Sequence, residues 1–500
     1  MIDGAHLQDS IARQSFTDAR RHLAAHEFAD PRVGIALRFV PTALDASLRS
    51  LAAGERPDGP GAPERPAAAG PIHDALAAQA AGTLTSRELV EQALAVIDKL
   101  DGELHAIVAI DAEAALAEAD ERDRARTAGE PVGPLHGIPV TVKDVIDVAG
   151  LPTRAGSAAY ADDPPVDAVG VARLRAAGAV ILAKTSTHEF ALGVTNPQSR
   201  NPHDPSRIPG GSSGGSAIAV ATGMGLASLG TDTRASIRVP AALSGTVGFK
   251  PTFGTVPTDG VVTLSWTMDH VAPMASTVGD AALVLEALLG AEPGTLTDAA
   301  GAPITGLRVG LPEAGWLDVE PAVAAAVDRA VAGLGERGAV LSPCLGLRSG
   351  HLDDANASGL VISRCEAASA HRSIGTELAR CWPEVAEQLE EAMATPAVDY
   401  LDAQRLRSEL VADLGALFDD VDVLAMPTVP VVAPPVDDFA RYLMVLARNA
   451  IPWSLVGFPA ISVPCGTDPA GLPIGLQLVA PPYAEARLVT VATAVEAALR

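Results

Sequence analysis

The chain has 500 residues, 48% hydrophobic and 19% charged, with a formal net charge of −25. That composition excludes a disordered chain and provides enough apolar residues for a large core. The acidic balance leaves no Lys/Arg excess to displace counterions from phosphates, so a nucleic-acid partner is not expected.

The start of the chain is charged and lacks the apolar run of a secretory signal. Residues 1 to about 53 read as helical and polar, and GERPDGPGAPERPAAAGP follows as a Pro/Gly-rich linker. We therefore divide the chain into an N-terminal helical extension with linker, 1–70, and a main domain, 71–500. A dimerisation arm or a lid is the expected role of the extension. The longest uncharged stretch, 210–231, is rich in Gly and Ser, so no membrane span and a cytoplasmic protein are expected. Cys344, Cys365, Cys381 and Cys465 have no metal-ligand spacing and read as reduced thiols.

The main domain opens at Thr85-Ser86-Arg87-Glu88, which has the spacing of a capping box, followed by Leu89, Ala93, Val96 and Leu100 on one helical face. Strand-like and helix-like runs then alternate: 138–142, 168–177, 179–183, 214–224 and 226–230, and later 307–311 and 321–333. This rhythm predicts an α/β fold, a mixed and mostly parallel sheet sandwiched by helices. Residues 422–435 begin as a buried strand and become a proline-stiffened connection. FPAISVPCG and GLPIGLQLV read as two core strands joined by a Gly/Pro turn.

GGSSGGS at 210–216 has four glycines and three serines in seven residues. A flexible linker has this composition, but here it would sit inside a domain core, since a buried helix and strand pattern follows at once. Glycines at a tight turn that approaches something closely fit better. Gly210, Ser212 and Gly214 formally match a nucleophile elbow, yet three prolines in the preceding nine residues replace the strand that the elbow needs.

A second serine, Ser236, follows a predicted strand and opens a predicted helix, where unpaired N–H groups can stabilise an oxyanion; a plain helix cap is the competing reading. A serine nucleophile needs a base, and His136, His188, His203 and His270 are scattered. Lys143 ends the apolar run GIPVTV, where burial would lower its pKa, although on this segment alone an ion pair with Asp144 is the preferred reading.

Residues 210–252, together with GPLHGIPVTVKDVIDVAGLPTRAGS upstream and FPAISVPCGTDPAGLPIGLQLVA downstream, resemble the three characteristic blocks of the amidase signature family. The similarity spans roughly 71–500, and the chain resembles the free-standing bacterial amidases more than the amidotransferase A component. It implies a Ser–cis-Ser–Lys triad of Ser236, Ser212 and Lys143, an oxyanion hole from the N–H groups of Thr233, Arg234, Ala235 and Ser236, and no metal or organic cofactor. The implied substrate is a small-molecule amide, with aryl amides, carbamates and esters open to the same chemistry. The amidase component of a tRNA-dependent amidotransferase is the alternative function, and an inactive binding homologue the third. A homodimer is compatible with all three.

Most family members have two glycines before the nucleophile, where this chain has Arg234-Ala235. A positive φ there would now cost roughly 1–2 kcal/mol. Arg234 either faces the pocket or pairs with Asp232; Asp232 and Arg238 are expected to hold the loop. Trp266, Asp269 and Trp453, with Phe458, are candidate pocket residues, set against ordinary core packing.

Overall fold

In a computed structural model, the described residues are 16–26, 70–312, 316 and 318–499. The proposed linker lies outside them, apart from its last two residues, Gly70 and Pro71. Of the N-terminal extension, helix α1 (Phe16–Ala25) is described, burying Ala19 and Leu23, one turn apart, against the main domain.

Eleven strands form one sheet in the order β1-β3-β2-β4-β6-β5-β10-β11-β9-β7-β8. In chain order they are β1 (Ile107–Ile110), β2 (Pro139–Lys143), β3 (Val180–Thr185), β4 (Ala227–Thr231), β5 (Val247–Lys250), β6 (Val271–Ala275), β7 (Arg308–Leu311), β8 (Val340–Pro343), β9 (Val423–Pro427), β10 (Ala460–Thr467) and β11 (Pro473–Val479). The sheet is mixed. Its parallel share is smaller than the strand–helix alternation suggests, because six neighbouring pairs run antiparallel and four parallel. The β10–β11 and β5–β6 pairs, each joined without an intervening helix, contribute to the antiparallel share, since such connections need no crossover helix.

Both faces are covered, which is why the central strands are apolar almost throughout. On β6, Ala272 and Met274 pack with Ala217 and Val220 of α6 (Gly214–Thr222) and Ala241 of α7 (Arg238–Ser244). Val271 and Ala275 point to the other face, against α8 (Val278–Leu289), which packs in turn on α15 (Glu485–Ala498), as the two-residue period of a strand requires.

The predicted capping box is present: Thr85 Oγ1 accepts from the Glu88 N–H, and Glu88 reaches back to the Thr85 N–H, starting α3 (Ser86–Leu104). Helix α2 (Pro71–Ala80) precedes α3, and α4 (Ala112–Thr127) and α5 (Val169–Ala176) follow it around β1 to β3. Beyond α9 (Pro321–Glu336), helices α10 (Gly350–Ser373), α11 (Pro383–Met393) and α12 (Ala397–Ala416) build a helical layer on which α1 docks. Short helices α13 (Leu443–Leu446) and α14 (Ile451–Leu455) return the chain to the sheet. No helix among the described residues is long and apolar enough to cross a membrane. The four cysteines form no disulfide.

Candidate active site

Parallel strands β3, β2 and β4 lie side by side, and their carboxyl ends point to the loops that build the site, the usual place for a ligand crevice in such sheets. Lys143 is the last residue of β2 and is completely buried. Its Nζ donates to Ser212 Oγ at 2.7 Å and to Thr231 Oγ1, at the end of β4, at 2.7 Å. Burial lowers its pKa to about 7, against the opposing charges of Asp269 and Asp232. The competing ion pair with Asp144 is absent: Asp144 turns to Lys184 at 3.2 Å, because successive side chains of an extended segment point to opposite faces.

The Gly/Ser tract is a packed turn. The peptide bond between Gly211 and Ser212 is cis. A Cβ on Gly211 would lie 2.1 Å from the Thr195 carbonyl oxygen, and one on Gly215 would lie 2.6 Å from that of Ala106, so neither position tolerates a side chain. The tract then enters α6, ruling out both linker and elbow. Ser213 ties it to the second serine loop: its N–H donates to the Ser236 carbonyl at 3.3 Å and its hydroxyl to the Thr231 carbonyl at 3.2 Å.

Ser236 sits between β4 and α7, as the sequence suggested, and lines a cavity of about 370 Å³ together with Thr233, Arg234, Leu192, Val194 and Arg364. Ala235 is fully buried behind it. Among the described residues, the backbone N–H groups of Thr233, Arg234, Ala235 and Ser236 donate to no protein acceptor. Neither Arg234 nor Ala235 has a positive φ, so the conformational cost of replacing glycine does not arise.

The loop is held from behind. Asp232 forms a buried pair with Arg238 at 2.9 Å, accepts from Ser454 Oγ at 2.9 Å and accepts from the Ile237 N–H at 3.3 Å. Burial works to raise its pKa, but Arg238 overrides this and holds it well below the usual carboxylate range. Asp232 is thereby committed, and the expected Arg234–Asp232 pair does not form.

Asp269 is a support and does not line the cavity. It accepts from Thr233 Oγ1 at 2.6 Å and from the Leu264 and Ser265 N–H groups at 3.0 Å each, and burial pushes its pKa up to about 6. Trp266 is 51% exposed and points away, because the carboxylates of Asp269 and Glu366 pin the backbone on either side of it. Trp453 is fully buried against Trp316, ring centroids 5.8 Å apart, and Phe458 meets Phe418 in the same core. None of these three rings is a pocket residue: Trp266 meets solvent, and core packing claims Trp453 and Phe458.

Sequence reasoning missed Arg364 and His188, which both line the cavity. Arg364 lies among buried neighbours on α10, and a lone cation within such a run was the available signal. Burial keeps His188 neutral, with a pKa near 4, and its Nδ1 faces the Glu189 carbonyl at 3.2 Å. Among the described residues, no group of three or more His, Cys, Asp or Glu side chains is arranged to hold a metal ion.

A cis-serine turn clamped to a buried lysine, on a mixed eleven-stranded sheet, defines an amide-hydrolysing enzyme of the amidase signature type. The chain belongs to the Amidase family, whose model matches residues 88–489. It is 38% identical over 469 residues to the A component of the glutamyl-tRNA(Gln) amidotransferase of Chloroflexus aggregans, spanning 85% of this chain and 95% of that one. The native peptide amidase of Stenotrophomonas maltophilia has a similar structure, with a TM-score of 0.73 at 31% identity over 86% of this chain and 96% of that one. A chain from a vestigial protein complex, described as revealing the evolutionary origins of an s-triazine catabolic enzyme, has a TM-score of 0.79 at 33% identity, covering 85% and 98%.

Proposed function

We propose that the chain is a free-standing amidohydrolase that cleaves a small carboxylic amide through an acyl-enzyme on Ser236. The observation that carries the reading is Lys143: completely buried, with a pKa lowered to about 7 and its Nζ 2.7 Å from Ser212 Oγ, it is available as a neutral amine at physiological pH. Lys143 takes the Ser212 proton as Ser212 takes that of Ser236, and Ser236 Oγ bonds to the carbonyl carbon. The carbonyl electron pair moves onto oxygen, facing the N–H groups of Thr233, Arg234, Ala235 and Ser236. On collapse the C–N bond breaks, the relay returns the proton to nitrogen, and the neutral amine departs. Water repeats the sequence on the ester, releasing the acid and restoring all three side chains.

Hydrolysis of short amides, aryl anilides, carbamates and peptide amides, followed by amine or ammonia release, tests this. At least one class is expected to turn over, with Ser236→Ala reducing the rate to background; undiminished turnover in that variant contradicts the assignment. A second reading, the amidase component of a tRNA-dependent amidotransferase, is favoured by the 38% identity to the Chloroflexus aggregans protein. Against it stand Arg234-Ala235 and the net charge of −25. Glutaminase activity that requires partner proteins would establish the second reading.

A further inference from the structure

The cavity beside Ser236 contains two arginines without a counter-charge. Arg234 is 8% and Arg364 6% exposed, and the Nε of each is buried without a hydrogen-bond partner among the described residues. Arg364 donates once, from Nη2 to the Leu192 carbonyl at 3.0 Å, and neither guanidinium forms an ion pair with a described carboxylate.

The other buried arginines among the described residues are matched. Arg238 has Asp232, Arg448 lies 4.0 Å from Asp318, and Arg407 feels the charge of Glu366. The contrast matters because an isolated buried cation costs several kcal/mol unless an anion and hydrogen bonds compensate. Here two stand close enough to repel, and burial lowers both pKa values, that of Arg234 to about 10 and that of Arg364, with help from Arg234, to about 9. Glu384, Glu387 and Glu391 also border the cavity but are exposed on α11, where water screens them, and they contribute to neither shift.

We infer that Arg234 and Arg364 together form a carboxylate-binding subsite, so that the substrate of Ser236 is a small amide carrying a second, anionic carboxyl group. This rests on the acyl-transfer reading of Ser236. A guanidinium offers a planar fork of donors that matches a carboxylate, and the orphaned Nε atoms are part of that fork. Arg234 lies two residues before Ser236, so an anion bound there holds the reacting carbonyl at the nucleophile. Leu192, Val194, Leu264 and Leu360 line the same space and suit a short aliphatic link between the two groups.

Calorimetric binding to the full chain carrying Ser236→Ala tests the inference without turnover. The probes are succinamate, with the carboxylate on the acyl side, N-acetylglycine, with it on the leaving side, and neutral butanamide. At least one carboxylate is expected to bind ten-fold or more tightly than butanamide. Arg234→Met and Arg364→Met should each remove that preference, Arg234→Lys should restore part of it, and butanamide binding should stay unchanged in Arg364→Met. Both Met variants should also melt at a higher temperature than the parent without ligand, since each removes an unpaired buried charge. Equal binding of neutral and charged probes, unchanged affinity in the Met variants, or a lower melting temperature in both would overturn the subsite. If the carboxylates bind as expected but the unmutated chain hydrolyses none of the amides, the acyl-transfer reading fails and the subsite stands.

Discussion

Lys143 shows how burial of one group ties its protonation to stability and, on the proposed reading, to reactivity. Its pKa falls from 10.5 to about 7, a shift on the order of 4–5 kcal/mol at about 1.4 kcal/mol per unit. Because the folded pKa lies below the unfolded one, the cost is fully present below pH 7 and shrinks as pH rises toward 10.5. Activity should follow the neutral amine, so the rate of amide hydrolysis should climb through about pH 7. Lys143→Met should lower kcat by roughly 10²–10⁴ and abolish that limb of the profile, while raising the melting temperature near neutral pH. A flat pH profile in the unmutated enzyme would remove Lys143 from the relay. The sequence placed this lysine at the end of an apolar run, which conveys burial. It did not convey the partner, because the choice between Asp144 and Ser212 depends on which way the strand's last side chain points.

At the scale of elements, local signals translated well. The Thr85 capping box, the helix that follows the Gly/Ser tract and the β10–β11 hairpin each carry their instructions within a few residues. The aromatic pocket candidates failed because an isolated ring looks the same in sequence whether it meets solvent, core or substrate; Trp266 and Trp453 ended in the first two. Arg364 was missed for a related reason, since α10 meets the Ser236 loop only through tertiary packing. The tract's glycines make a prediction at this scale. Gly215→Ala would force a methyl group to 2.6 Å from the Ala106 carbonyl oxygen, and should cost about 1–3 kcal/mol in urea unfolding. Gly102→Ala, in α3 with nothing within 4 Å, should instead stabilise by about 0.5–1 kcal/mol. Equal effects at the two positions would show that close packing does not dictate the glycines of the tract.

The whole molecule gathers groups from distant parts of the chain around one cavity. β2 brings Lys143, the turn before α6 brings Ser212, the β4–α7 loop brings Ser236 and Arg234, and α10 brings Arg364. Phe16 of α1 also borders the cavity, which links the N-terminal helix to the site. Fold class was readable from the alternation of strands and helices. The balance of antiparallel pairs was not, since strand order is decided by which edges meet after collapse. The central claim is that this arrangement makes Ser236 the acyl-bearing residue. Peptide mapping by mass spectrometry after treatment with a fluorophosphonate tests it most directly. The account predicts a single adduct on Ser236, absent in Ser236→Ala; an adduct on any other residue, or none on the folded chain, would contradict it.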